Sequence, residues 1–154
     1  MGNKKKAIKI CLISSSGGHY EQLKMLQKLE GKYDVCWITE ATSYASKADY
    51  YMIQTGLKDK GYFIKMIKNL FRTLKIWAKE KPDYIVTTGS MVAIPMAIMA
   101  KILRKKLVYI ESFARVTDSS KTGQLLYKYA DLFIVQWESM KEVYPNSVYG
   151  GSLY

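Results

Sequence analysis

Short apolar runs alternate along this chain with longer stretches that are apolar at every third or fourth position. Ile8 to Ile13, Val35 to Thr39, Tyr84 to Thr88, Leu107 to Ile110 and Leu132 to Gln136 are mostly apolar rather than alternately polar, the pattern of strands buried on both faces. Tyr20 to Leu29, Tyr62 to Lys79, Met91 to Leu103, Thr122 to Tyr129 and Glu138 to Val143 read as helices. The second of these ends at Lys81-Pro82, because a residue before proline is pushed out of the helical region. Glu40 to Gly61 is polar, and within it only Tyr51 to Gln54 suggests a further short strand. Strands and helices in alternation predict an α/β fold: one Rossmann-like, doubly wound parallel sheet spanning residues 1–154. Ligands of such sheets gather outside the carboxyl ends of the strands. The segments SSSGGH, TTGS and IESF all fall there, so three loops are expected to converge.

The first loop is glycine-rich without being a dinucleotide fingerprint. Gly17-Gly18 is followed by His19, Tyr20 and Glu21, so the third glycine is missing and there is no P-loop lysine. An acid about 20 residues further on at a clear strand end is also not evident, which counts against a nucleotide cofactor. Ser16, Gly17 and Gly18 before a helix N-terminus still suit an oxyanion or a hydroxyl-rich group. His19, the single histidine, reads equally as a general base and as a helix cap. Gly89 and Ser90 form the edge of the second loop, while Thr122 and Gly123 open another helix. Glu111 and Ser112 follow an apolar strand, where a carboxylate serves an acceptor hydroxyl or acts as a base. The plainer reading of Glu111 is a tether, with Arg115 as its partner.

Charge changes the picture. Lys and Arg number 24 against 13 Asp and Glu, for a net charge of +11, which calls for a polyanion or an anionic membrane nearby. No nucleic-acid reader motif accompanies it. The helix from Tyr62 carries Phe63, Ile67, Leu70, Leu74 and Trp77 along one face and Lys65, Lys68, Arg72, Lys75 and Lys79 along another. The apolar face is expected to pack on the sheet and the basic face to approach headgroups, helped by Lys4 to Lys6 and by Lys101, Arg104, Lys105 and Lys106. The longest apolar run, Met91 to Ala100, is about half the length that crosses a bilayer, and most of it reads as core. Cys11 and Cys36 lie in apolar runs without metal-ligand spacing, so buried thiols and no metal are expected.

Three segments together carry a resemblance: SSSGGHYEQL, TTGSMVAIP and YIESFARVTDSSKTGQLLYKYADLFIVQW. In that order they resemble the family of the membrane-anchoring subunit of the two-part N-acetylglucosaminyltransferase of N-glycan assembly, whose bacterial members belong to capsular and exopolysaccharide clusters. More distantly they are similar to the amino-terminal half of the peptidoglycan glycosyltransferase that makes lipid II. The resemblance runs from Lys9 to Tyr154. It implies the amino-terminal domain of a GT-B glycosyltransferase, holding a lipid-linked sugar acceptor while a separate subunit supplies the UDP-sugar site. Within 154 residues no room for a donor domain is expected. It further implies His19 and Glu111 as catalytic residues, with Ser16, Gly17, Gly18, Gly89, Ser90, Ser112, Thr122 and Gly123 binding acceptor or phosphate. No cofactor is implied. The tail NSVYGGSLY would ordinarily be disordered; the resemblance makes Tyr149, Leu153 and Tyr154 anchors for the partner subunit. The implied location is the cytoplasm, peripheral on the inner face of the cell membrane. The competing reading is a stand-alone nucleotide-cofactor enzyme on the same fold.

Overall fold

The computed structural model describes residues 7–43, 47–56 and 58–154, so the basic cluster Lys4 to Lys6 lies outside the described residues. Seven strands form one parallel sheet: β1 (Lys9–Ile13), β2 (Asp34–Ala41), β3 (Tyr50–Ile53), β4 (Tyr84–Thr87), β5 (Lys106–Ile110), β6 (Leu132–Val135) and β7 (Val148–Tyr149). Their spatial order is β3-β2-β1-β4-β5-β6-β7. Cys11 stands opposite Cys36 where β1 pairs with β2, and Leu12 opposite Val86 where β1 pairs with β4. The chain runs outward from β1 in one direction and from β4 in the other. The gap between their carboxyl ends is therefore the switch point at which such sheets bind ligands.

Helix α1 (Gly18–Lys24) continues as a 3₁₀ helix over Met25–Gly31; α2 (Tyr62–Glu80), α3 (Ile94–Ile102), α4 (Lys121–Leu126) and α5 (Met140–Val143) follow. The predicted helix from Met91 is divided. Met91–Ala93 is a 3₁₀ turn, and α3 starts with Pro95 in its first turn, where the missing N–H costs nothing. Two cores sandwich the sheet. On one face Ile13, Ile85, Leu107 and Val135 pack with Trp77, Met96, Leu126 and Met140. On the other, Leu12, Val86 and Ile110 pack with Tyr20 and Leu23, and Leu153 of the tail joins them. Both cysteines are buried and free.

The tail is placed, where a free end of its composition would ordinarily be disordered. β7 pairs with β6, the Gly150 N–H donates to the Val135 carbonyl at 3.0 Å, and the Leu153 N–H donates to Gln136 Oε1 at 3.0 Å. Two residues are too few to show a strand pattern in sequence, so only the neighbouring strand reveals this one.

Helix α2 corrects a second expectation. Of its expected apolar stripe only Trp77 packs inward: Phe63 is 79% exposed and Phe71 61%, with Ile64, Ile67, Leu70 and Leu74 exposed beside them. Asn69, Thr73, Ile76 and Trp77 are the buried residues. The reason lies in β3, the edge strand that α2 packs against. Asn69 Oδ1 accepts from the Ile53 N–H at 2.8 Å and its Nδ2 donates to the Ile53 carbonyl at 2.8 Å and to Thr55 Oγ1 at 3.2 Å. Strand-edge groups need partners when covered, and a polar helix face supplies them. Phe63, Ile67, Leu70, Phe71 and Leu74 are left pointing outward.

Candidate functional site

The loops after β1, β4 and β5 meet with the segments after β2 and β3 around one cleft of about 650 Å³. Hydrogen bonds join the first two loops directly. The Ser15 N–H donates to Ser90 Oγ at 3.0 Å, and Thr88 Oγ1 donates to the His19 carbonyl at 2.7 Å. Ser90 adopts φ 91° and ψ 156°, a region that normally belongs to glycine and costs of order 1–3 kcal/mol elsewhere. Gly89 before it has φ 106°, and a Cβ there would stand 2.8 Å from the Tyr109 hydroxyl. The second loop is thus drawn tightly over β5, which aims Ser90 at the cleft.

His19 is half-buried and lines the cleft. Its Nδ1 lies 2.9 Å from the Thr88 carbonyl. A carbonyl only accepts, so Nδ1 carries the proton and the lone pair resides on Nε2. No side chain caps α1, whose N-cap is Gly17 at φ 81°. The helix-cap reading of His19 therefore fails, and what remains is an oriented imidazole with one nitrogen free to accept. Gly17 and Gly18 are exposed beside it, with open space where a Cβ would stand.

Glu111 is placed differently from expectation. It is 1% exposed, and its carboxylate is fully engaged. Oε1 accepts from the Ser112 N–H at 2.9 Å; Oε2 accepts from Tyr144 OH at 2.8 Å, Ser120 Oγ at 3.1 Å and the Ser120 N–H at 3.3 Å. Burial, then the neighbouring Glu111 charge, push the Tyr144 hydroxyl above its ordinary range. Glu111 is an organiser behind the cleft wall rather than a group that meets substrate, and Arg115 pairs with Asp118 instead of with it. Ser112, also buried, accepts from the Ala114 N–H at 3.3 Å within the same turn. Gly123 follows suit. Its N–H is taken by Ser120 Oγ at 2.9 Å, and a Cβ there would collide with Tyr144 OH and the Glu111 carboxylate. Its predicted anion-binding role is thereby corrected to close packing. Thr122, by contrast, does line the cleft.

Several lining residues escaped the sequence reading. Ser15, Gln54, Asp59, Ser120 and Lys121 are among them. Lys65, assigned to the membrane stripe, is half-buried, pairs with Asp59 at 2.7 Å and faces the cleft. Glu40 is the most telling. It stands one residue before the end of β2, lines the cleft and receives the Thr55 N–H at 3.3 Å together with the Ser16 N–H. Burial raises its carboxyl above the usual range. It stands at a strand end about 20 residues after the glycines, so that particular argument against a dinucleotide site falls, although the third glycine is still missing. An acid directly after VCWIT was the signal available. Among the described residues, no three acids, histidines or cysteines gather as metal ligands.

A buried polar chain links this site to the tail. Gln136 Nε2 donates to Gln22 Oε1 and to the Glu111 carbonyl, both at 2.9 Å, while its Oε1 takes the Leu153 N–H. Gln22 Oε1 also accepts the Phe113 N–H at 3.2 Å, and Tyr154 stands edge-on to the Phe113 ring with centroids 5.4 Å apart. Tyr149 and Tyr154 are exposed, and Leu153 is half-buried.

The fold defines the class. It is that of the amino-terminal domain of GT-B glycosyltransferases and related sugar-nucleotide enzymes. MurG of Acinetobacter baumannii superposes with a TM-score of 0.70 at 17% identity over 86% of this chain, and UDP-N-acetylglucosamine 2-epimerase of Rickettsia bellii with 0.75 at 15% over 96%. The chain spans 42% and 45% of those structures. Sequence is more particular. The family described as "Oligosaccharide biosynthesis protein Alg14 like" matches residues 58–153. The human UDP-N-acetylglucosamine transferase subunit ALG14 is 30% identical over 97% of this chain and 84% of its own length; that of Candida albicans is 32% identical over 97% and 81%. The chain belongs to the Alg14 family.

Proposed function

We propose that this chain is the acceptor-binding, membrane-recruiting subunit of a two-component UDP-N-acetylglucosamine transferase whose donor site lies on a separate subunit. Family membership supports the two-component character, since the relatives are named as transferase subunits. The observation that carries the site is His19, held through Nδ1 at the wall of a cleft that also presents Lys65, Arg115 and Lys121. Lys121 suits the phosphate of a lipid-linked acceptor, joined by Lys65 and Arg115 once they turn from Asp59 and Asp118. His19 Nε2 takes the proton of the acceptor hydroxyl as that oxygen bonds to the sugar's anomeric carbon, and the bond to UDP breaks with UDP leaving. Setting in capsule or exopolysaccharide assembly, on the cytoplasmic face of the membrane, is part of the proposal and rests on the likeness of the three sequence segments.

Recruitment falls to α2. Its outward apolar ridge from Phe63 to Leu74 lies next to Lys68, Arg72 and Lys75, all exposed, which is the arrangement of an interfacial helix. Among the described residues no helix is long and apolar enough to cross a membrane.

The test is reconstitution with the donor subunit, UDP-N-acetylglucosamine and a lipid-linked acceptor. Transfer is expected only with both subunits, and a full rate from this chain alone overturns the proposal. Sedimentation with anionic vesicles checks recruitment: salt should weaken it only in part, because screening leaves apolar insertion intact. A Phe63→Glu/Phe71→Glu variant should abolish it, and wild-type binding by that variant would place the membrane surface elsewhere.

A further inference from the structure

A second concavity lies beside the cleft. It is a groove of about 300 Å³ between α3 and α4, lined by Ile94, Ile98 and Ile102 on one side and Leu125, Leu126 and Tyr129 on the other. Ile102 is 67% exposed, and Ile98, Leu125 and Tyr129 are also open to solvent. The one charged residue in the lining, Lys101, is paired with Asp131 at 3.1 Å. A pocket so lined, with its cation already neutralised, selects an uncharged apolar occupant.

Its position says which. Both walls of the groove begin in the cleft. Met91 lines the cleft and Ile94 the groove, while Thr122 lines the cleft and Leu125 the groove. Each step is three residues, less than one turn and roughly 5 Å along a helix axis. The polar cleft and the apolar groove are therefore neighbouring compartments, bounded by the same two segments. A convex ridge such as the one on α2 can press into a bilayer, but a concave groove must be filled by something that enters it. The adjoining cleft carries Lys121, together with Lys65 and Arg115 in their pairs with Asp59 and Asp118, so the chemistry that fits both compartments is a hydrocarbon chain whose anionic head meets Lys121.

We infer that the α3–α4 groove binds the first segment of the hydrocarbon chain of an amphiphile whose anionic head lies in the cleft. The inference rests on the acceptor reading above and adds a chain site to it. The chain leaves the cleft past Met91 and Thr122 and runs between Ile98 and Leu125. The acceptor is thus selected by its tail as well as by its sugar and phosphate, and it is held in this protein for a short distance before the remainder enters the membrane.

Methyl-labelled protein titrated with farnesyl diphosphate and, separately, with inorganic diphosphate tests this. Both ligands should move signals around the cleft, and farnesyl diphosphate alone should also move the methyls of Ile98, Ile102 and Leu125. Ile98→Asp and Ile102→Asp, both at exposed positions that leave the core intact, should weaken farnesyl diphosphate by at least about 10-fold, the worth of a few buried methylenes, while leaving inorganic diphosphate unchanged. Cleft signals that move while the groove stays silent, or chain-dependent shifts at the methyls of Ile64 and Ile67 on α2 instead, overturn the groove site and leave the acceptor reading standing. A cleft silent to both ligands overturns the acceptor reading, and the chain site falls with it.

Discussion

Gln136 at the end of β6 donates a hydrogen bond to Gln22 of α1 at 2.9 Å, bridging 114 residues of sequence. Three residues before Gln22 is His19, and the oxygen of the same Gln136 amide accepts from the Leu153 N–H of the tail. The imidazole's helix, the Glu111 loop and the tail therefore share one buried amide. Gln136→Leu strands the Glu111 carbonyl and the Leu153 N–H, each at about 1–3 kcal/mol when buried without a partner. Denaturant unfolding should show that loss, and hydrogen exchange at Leu153 should quicken. Wild-type stability in the variant would mean that water replaces the amide and that the tail is held by its apolar contacts alone.

The two glycine positions predict opposite behaviour. Gly123→Ala pushes a methyl against the Glu111 carboxylate and Tyr144 OH, and overpacking of this kind typically costs about 1–3 kcal/mol. Gly18→Ala meets nothing within 4 Å and should leave the melting temperature unchanged. If both variants melt alike, the packing of α4 over Glu111 has been misassigned.

Glu40 should make stability depend on pH. Burial raises its folded-state carboxyl above the unfolded value of about 4.3, so the ionised form is the one that folding penalises. The favourable contribution is fully present below the unfolded value and is lost as pH rises through the folded one. Glu40→Gln keeps an oxygen for Ser16 and Thr55 but cannot ionise. Its melting temperature should exceed wild type at pH 8, with the gain fading toward pH 4. A gain that grows on acidification would reverse the assignment.

His19→Ala should leave the fold intact, since the imidazole is half-buried and holds no helix cap. Transfer by the reconstituted pair should fall by about 10²- to 10⁴-fold, the usual worth of a general base. Comparison at saturating partner and equal melting temperature decides it. Unchanged turnover would leave His19 only its tie to Thr88.

The sheet, and the edge at which its loops meet, were legible in the sequence alone. Apolar runs with no alternation can lie only in a sheet covered on both faces, and that alone sends the loops bearing His19, Ser90 and Glu111 to one edge. Patterns of this kind are local, so they survive being read one segment at a time. Tertiary structure decided the rest, because a side chain's role depends on what lies across from it. Asn69 is buried and Phe63 exposed because β3 happens to be an edge strand needing polar partners. Glu111 became an organiser because Ser120, nine residues on, and Tyr144, 33 residues on, surround it. Glu40 entered the cleft because β2 sits beside β1, and β7 exists only because β6 is there to pair with it. Periodicity reports how a helix or strand divides its residues between faces; which face turns inward is settled by the hydrogen bonds and apolar surface of the neighbour it meets.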